Sequence, residues 1–397
     1  MPVRFVDRPP SSVDVCIVGG GVVGAATAFY AARAGLRPVI VEKRPALATL
    51  TTAASTGAFR LQFDNKEELD LISESVELFF NFQDGTGQSE HDLGLRPQGY
   101  LWLTTDEERA RRQKELVALQ HSWGLTDVEL LEGDEVRERW PYVGHDVVQA
   151  RFRAADGFLD PKALTYGMAV GSRAEVLAGT EATGFLRSGD RVTGVSTTRG
   201  DLSAGLTVIA CGPLSGVVAG HAGVELPVET VARHKVVMAE VPEVPSHAPM
   251  TIDDDTGAHW RPALAGAYLL YTDPATPPSE PVDNVVPDHG LAFDLLKPEG
   301  PVSVSRVAPF WRRVWERGTA HWTMQSGHYT MTPDHRPLLG PLGPEGLFVN
   351  SGYSGHGIMG SAAGSRHLID VVTGAIAGPD NTFRPDRAFE PRDLDLL

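Results

Sequence analysis

Val13-Asp14-Val15-Cys16-Ile17-Val18 runs straight into Gly19-Gly20-Gly21-Val22-Val23-Gly24 and then Ala25-Ala26-Thr27-Ala28, and this stretch decides the fold. The β-branched run predicts a strand, the glycines a turn, and the Ala-rich continuation a helix from about Val22 to Ala34. Gly35 is placed to cap that helix, and Pro38 to Glu42 reads as a second strand. Strand, crossover helix and strand make a right-handed βαβ unit with parallel neighbours. Val15 to Ala32 is uncharged and follows Arg4 and Arg8, which also invites a membrane-span or signal reading. Three consecutive glycines would cost such a helix about 3 kcal/mol against alanines. The expectation is therefore a cytoplasmic chain with no membrane span.

Gly19, Gly21 and Gly24 satisfy G-x-G-x-x-G in its proper setting, between a strand and a helix. The first allows the tight turn, the second close approach of backbone to a pyrophosphate, the third close contact of helix and strand. The helix N-terminus adds unpaired N–H groups and a partial positive charge. Glu42 ends the second strand, where a carboxylate accepts both ribose hydroxyls and repels a 2′-phosphate. The motif predicts a dinucleotide other than NADP; FAD and NAD stay open on this evidence.

A length of 397 residues suggests two or three domains. The formal charge of −16 argues against nucleic acid and anionic membrane surfaces as partners, since both need clustered Lys and Arg. Cys16 and Cys211, far apart in apolar runs, offer neither a disulfide framework nor a zinc site.

Further along, Ala46–Gly57 reads as a small-residue loop, and Lys66–Gln83 as a helix with Leu69, Ile72, Val76, Phe79 and Phe80 on one face. Asp84–Gly94 reads as a connection. Tyr100–Thr104 is an expected strand, Glu107–Trp123 a surface helix, Lys162–Arg173 a helix, and Val192–Thr197 and Leu206–Cys211 strands. From about 226 to 320, prolines and short strands replace the α/β rhythm, as in a separate antiparallel unit. Pro274–Pro287, with five prolines, is an expected loop or lid. The rhythm returns with a strand at Leu347–Ser351 and a helix at Gly357–Thr373. No metal site is predicted; Asp253-Asp254-Asp255 is expected to be a solvated turn.

Five later stretches join the first: Thr51-Thr52-Ala53-Ala54-Ser55-Thr56-Gly57-Ala58-Phe59-Arg60, Asp156-Gly157-Phe158-Leu159-Asp160-Pro161, Ala210-Cys211-Gly212-Pro213, Tyr329-Thr330-Met331-Thr332-Pro333-Asp334 and Gly352-Tyr353-Ser354-Gly355-His356-Gly357. In this order they resemble the D-amino-acid-oxidase superfamily of FAD enzymes, most closely its sarcosine- and dimethylglycine-oxidase-like branch. The resemblance implies an α/β fold, with a discontinuous Rossmann-like FAD-binding domain (1–90, 151–225, 321–397). It implies a second, α+β substrate domain (91–150, 226–320) on a mostly antiparallel sheet. It also implies hydride removal from the α-carbon of an amine or amino acid, a secondary amine favoured, to give an imine. Oxygen or another acceptor would then take the electrons.

Under that resemblance the ADP half of FAD lies on Gly19, Gly21, Val22, Val23, Gly24, Glu42 and Lys43. Thr51, Thr52, Ser55, Thr56 and Gly57 pass over the pyrophosphate and ribityl chain, with Val176, Ala210 and Gly212 as further contacts. Gly352, Ser354, Gly355, His356, Gly357, Ile358 and Met359 face the ring, where a helix N-terminus stabilises negative charge on reduced flavin. Arg60, Tyr329, His356 and Tyr268 are the candidate catalytic residues.

Three departures from the branch carry weight. Gly327 and His328 occupy the stretch that carries the flavin-linking cysteine, and no histidine occurs between Glu42 and Arg60, so non-covalent FAD is expected. Phe63 and Met359 stand at the carboxylate-clamp positions, which makes a simple N-methyl amino acid doubtful as substrate. Tyr268 stands near the place of the oxygen-activating lysine, so a dehydrogenase is plausible. The alternatives are an FAD-dependent 2-hydroxy-acid dehydrogenase and a catalytically lapsed flavoprotein acting in binding or assembly. An NAD-dependent dehydrogenase leaves the Thr-rich loop and the Gly-His-Gly turn unexplained.

Overall fold

In a computed structural model, which describes residues 2–318 and 321–390, the Ser12–Val18 strand is buried on both faces. Val15 and Ile17 join one apolar cluster, with helix residues Ala25, Ala28 and Phe29. Val13, Cys16 and Val18 join another, with Val39, Val41 and Leu177. That two-sided burial is what makes the run continuous rather than alternating. Helix Val22–Arg33 follows the glycines, and Gly35 adopts φ +81° after it, as the sequence predicts. Pro38–Glu42 then pairs in parallel with Ser12–Val18, Val18 opposite Val41.

The parallel core of the first sheet runs Glu175–Ala178, Pro38–Glu42, Ser12–Val18, Gly200–Ile209, Leu347–Ser351. An antiparallel hairpin, Ala182–Ser188 with Arg191–Thr197, extends from the first half of Gly200–Ile209. Helices Val22–Arg33, Pro161–Ser172 and Gly357–Thr373 pack together over one face. Asp160 caps the second of these by accepting from the N–H groups of Lys162 and Ala163.

The second sheet has eight strands, in the order Thr323–Met331, Glu229–Met238, Gly266–Leu270, His259–Ala263, Met250–Asp253, Tyr100–Thr104, Gln149–Arg153, Glu129–Glu132. All neighbours are antiparallel except Met250–Asp253 beside Tyr100–Thr104. Strand Thr323–Met331, which the sequence groups with the nucleotide segments, is the edge strand of this second sheet. Gly327 permits the placement, because a Cβ there would meet Ala54 and Thr51 at 3.2 and 3.3 Å. The expected boundary at 320 and the end of the last segment fall partly outside the described residues.

Three local expectations change. The Ala46–Gly57 loop contains a turn of helix, Thr51–Ala54, closed by the Ala53 and Ala54 N–H groups on the Leu50 carbonyl. Helix Lys66–Phe80 breaks at Asn81 before a short second helix, Phe82–Thr86. Asp253-Asp254-Asp255 is not solvated. Asp253 is fully buried and accepts from Arg306 Nε at 2.7 Å, Asp254 accepts from Gln113 at 2.7 Å, and Asp255 accepts from Thr105 N at 2.9 Å. The acids turn into the protein because Arg306 and two polar side chains meet them there. Among the described residues no group of His, Cys, Asp and Glu could hold a metal ion. No described helix is long and apolar enough to cross a membrane.

Ala58–Phe59 and Gly157–Phe158 pair as a separate two-stranded antiparallel sheet. Beneath it Asp156, fully buried, accepts from Arg153 Nη1 at 2.7 Å, Leu61 N at 3.0 Å and Gln62 Nε2 at 3.0 Å. Burial pushes its carboxyl pKa upward against these partners. Asp156→Ala leaves Arg153 only the Asp127 carboxylate, at 2.8 Å, and takes the acceptor from the buried Leu61 N–H, so it should cost about 2 kcal/mol in urea unfolding.

Candidate active site

Every parallel strand of the first sheet ends at the same edge, where ligands of doubly wound sheets bind. Gly19–Gly21, Lys43, Thr180–Ala182, Ala210–Gly212 and Gly352–Gly355 emerge there side by side and line one cavity of about 1070 Å³. The cavity continues between the two sheets to Arg60, Tyr329 and Lys235. That volume stands at the upper end of the roughly 300–1000 Å³ of small-molecule and cofactor pockets.

The turn at its first end is possible only with glycine. Gly19 has φ +116°, and a Cβ on it would lie 2.3 Å from the Ala210 carbonyl oxygen. A Cβ on Gly24 would lie 1.9 Å from the Gly19 oxygen. Glu42 accepts from Gly20 N at 2.6 Å and Arg44 N at 2.7 Å. Burial raises its pKa, opposed by those two N–H groups. Thr52 Oγ1 accepts from Val22 N at 3.2 Å, tying the Thr-rich segment to the helix start. The Pro-rich segment closes over this end: Pro274, Thr276 and Pro278 line the cavity, and Asp283 pairs with Lys43 and Arg44.

At the far end Gly355 has φ +99°, and a Cβ there would meet the Tyr329 ring at 2.7 Å. The two downstream motifs thus pack directly on each other. Ser354, itself left-handed at φ +49°, accepts from Thr332 N at 3.2 Å and fixes the approach to helix Gly357–Thr373. The helix start therefore opens onto the cavity.

The polar groups here form a connected set. His356 meets Glu68 Oε1 through Nδ1 at 3.1 Å and Arg60 through Nε2 at 3.5 Å. With Nδ1–H donating to the carboxylate, Nε2 is left to accept from Arg60. Burial works against the Glu68 charge, but His356, Asn65 and Arg60 together outweigh it and hold the carboxyl below its usual range. Arg60 also donates to the Gln62 carbonyl at 3.1 Å and lies 4.6 Å from the Phe63 ring centroid. Opposite, Lys235 Nζ donates to the Ser55 carbonyl at 2.8 Å, and burial, then the Arg261 charge, pulls its pKa to about 7. His259, buried, is brought to about 4 and is neutral.

Most of the expected contacts line this cavity: Gly19, Gly21, Val22, Val23, Glu42, Lys43, Thr51, Thr52, Ser55, Thr56, Ala210, Gly212, Gly352, Ser354, Gly355, His356, Gly357, Ile358, Met359, Arg60 and Tyr329. Four residues do not. Gly24 lies under Gly19, and Gly57, at φ +70°, lies against the Leu159 carbonyl, so both shape the backbone. Val176 is buried in the core because its side chain faces the helix layer; the strand's exit, Thr180–Ala182, lines the cavity instead. Tyr268 is held back by two cations, Lys235 Nζ at 4.4 Å and Arg261 at 4.6 Å from its ring centroid. The cavity lysine missing from the sequence reading is supplied by the adjacent strand. Lys235 and Arg233 were legible only as alternate residues of one strand, and Glu68 only as an acid in a helix's first turn.

A sequence profile described as DAO, FAD dependent oxidoreductase, matches residues 14–371, and the chain belongs to that family. FAD-dependent oxidoreductase domain-containing protein 1 of Xenopus laevis is 27% identical over 412 residues, covering 92% of this chain and 80% of that one. Sarcosine oxidase subunit beta of an Arthrobacter species is 26% identical over 379 residues, covering 92% and 88%. Among solved structures, L-proline dehydrogenase from P. horikoshii superposes with a TM-score of 0.81 at 23% identity, covering 95% and 97%. Glycine oxidase from Geobacillus kaustophilus gives 0.80 at 22%, covering 96% and 100%. The fold is the one these proteins share, and FAD is the cofactor of the family. The glycine cradle, Glu42 and the open helix start at Gly357 fit it, being the backbone donors and the ribose acceptor that such a ligand requires.

Proposed function

We propose that this chain oxidises an amine or amino acid, a secondary amine by preference, to the imine. The observation that carries the proposal is the continuity of the cavity, from the Glu42 cradle to a chamber walled by Arg60, Tyr329 and Lys235 with apolar Met250, Ile252 and Leu270. The names of the relatives, sarcosine oxidase among them, point the same way. FAD, when bound, supplies a two-electron acceptor. Gly19–Gly21, Glu42 and Thr52 would hold its nucleotide half, and the Gly355–Gly357 turn its ring. The first sheet thus serves the cofactor and the second the substrate. FAD is held non-covalently: Cys211, the cysteine that lines the cavity, sits close to Glu42 at the nucleotide end.

The chain's own groups orient the substrate and manage one proton. A substrate amine arrives as an ammonium, and its nitrogen must lose a proton before the α C–H is activated. Lys235 Nζ, its pKa drawn down to about 7 so that charged and uncharged forms are both populated at neutral pH, is the group that accepts it. The buried chamber excludes water while Arg60, fixed by His356 and Gln62, sets the field at its opposite wall. Lys235 also places a cation in the chamber, so the ground for expecting oxygen to be a poor acceptor is removed.

Anaerobic mixing of the yellow protein with sarcosine, proline, glycine and lactate, followed by flavin absorbance, tests this. Bleaching by amines and not by lactate is expected. Bleaching by lactate alone selects the hydroxy-acid alternative, and a yellow protein that nothing reduces selects the assembly role. Peroxide yield on readmitting air then identifies the acceptor.

A further inference from the structure

Strand Glu229–Met238 turns Val231, Arg233 and Lys235 toward the cavity in alternate positions, all three among its lining. The cations of the chamber differ in how they are satisfied. Arg60 has the Gln62 carbonyl and His356, and Lys235 has the Ser55 carbonyl. Arg261, behind them, has the Thr56 and Pro262 carbonyls. Arg233 has only the neighbouring Ala232 carbonyl on Nη1, at 3.2 Å. Its Nε is buried without a partner, the one such side-chain atom among the described residues that line the cavity.

No described carboxylate forms an ion pair with Arg233, although the chain carries 51 acids to 35 Lys and Arg. The guanidinium stands 5.6 Å from the Tyr329 ring centroid, and Asp273 acts on it only at longer range. Arg233 is partly buried, and that burial lowers its pKa. A partly buried cation with an unpartnered Nε gains from a ligand that can accept from it, and a fork of N–H donors fits a planar carboxylate. The positions where the sequence looked for a carboxylate clamp are apolar: Phe63 lies under Arg60, and Met359 is buried in the helix.

We propose that Arg233 is the anchor for the substrate's carboxylate, so that the chamber selects amines carrying an acid group over neutral amines. The proposal rests on the reading of the chamber as an amine-oxidising site. The carboxylate lies against Arg233 and Tyr329, leaving the amine to the Lys235 side of the same strand face. A substrate carboxylate thus completes the hydrogen bonding of a guanidinium already in place.

Calorimetric titration of the FAD-loaded protein with furan-2-carboxylate and with furan-2-carboxamide, neither oxidisable here, tests it without turnover. The carboxylate is expected to bind the native protein about tenfold tighter than the amide or better, from the charge-assisted pair. Arg233→Gln should remove that preference and leave the amide's affinity unchanged, and Arg233→Lys should restore part of it. Should Arg233→Gln lose its flavin, the Arg233→Lys protein carries the comparison alone. Equal affinity for acid and amide in the native protein, binding of neither, or an undiminished preference in both variants overturns the anchor. A chain that takes up no FAD overturns the functional reading instead.

Discussion

Gly24→Ala protein should leave purification colourless, with FAD affinity reduced by about a hundredfold or more. A Cβ at Gly24 would sit 1.9 Å from the Gly19 oxygen and 3.0 Å from the Gly19 carbonyl carbon. Both are backbone atoms of the turn itself, so no side chain can swing aside. Helix Val22–Arg33 cannot retreat either, because it is wedged between helices Pro161–Ser172 and Gly357–Thr373. Overpacking of a core costs about 1–3 kcal/mol where side chains give way, and here the strain falls on the N–H groups that would meet the diphosphate. At 1.4 kcal/mol per tenfold, about a hundredfold loss follows from the upper part of that range. Gly35→Ala is the matched control. Gly35 has φ +81° with nothing within 4 Å of a Cβ, so stability should fall by about 1 kcal/mol while flavin content stays full. The flavin-to-protein absorbance ratio and quenching of FAD fluorescence on titration measure both.

That contrast also shows why the nucleotide half was legible in the sequence. Turn chemistry is local: β-branched residues, then glycines, then alanines define strand, cradle and helix within a few residues, and Glu42 follows at the end of the next strand. The ring end was legible for the same reason, since Ser354–Gly357 is a turn followed by a helix. What was lost depends on pairing between strands. Val237 lies opposite Tyr268, and Lys235 opposite Leu270, a register no single strand discloses. That register brings the Lys235 ammonium over the Tyr268 ring and makes Tyr268 a support rather than a cavity residue. Asp253 was misjudged likewise, because its partner Arg306 lies far along the chain and only the fold brings it near. Val176 failed by phase alone: in a strand buried on both faces, alternation does not say which residue points at a ligand.

Lys235→Met should separate two consequences of one buried amine. The first is stability without FAD. In the unfolded chain this lysine holds its proton to about 10.5, in the folded protein only to about 7. Between those values the unfolded state binds the extra proton, so the native lysine makes stability rise with pH through that window. Below about 7 both states are charged and the burial penalty is complete. The methionine variant should therefore be more stable by about 3 kcal/mol at pH 6, allowing for the lost hydrogen bond to the Ser55 carbonyl. The gain should shrink steadily toward pH 10, which urea unfolding of apo protein at both pH values would reveal. The second consequence is catalytic and opposite in sign. With Nζ as proton acceptor, kcat/KM for an ammonium substrate climbs with an apparent pKa near 7, and Lys235→Met should lose that limb along with about a hundredfold in rate. Lys235→Arg keeps a cation and removes the acceptor, so it should retain binding and still lose the limb. A methionine variant that is stabilised at pH 6 yet keeps the native pH–rate profile would show that the amine is buried for another reason, and proton acceptance would pass to a different group in the chamber.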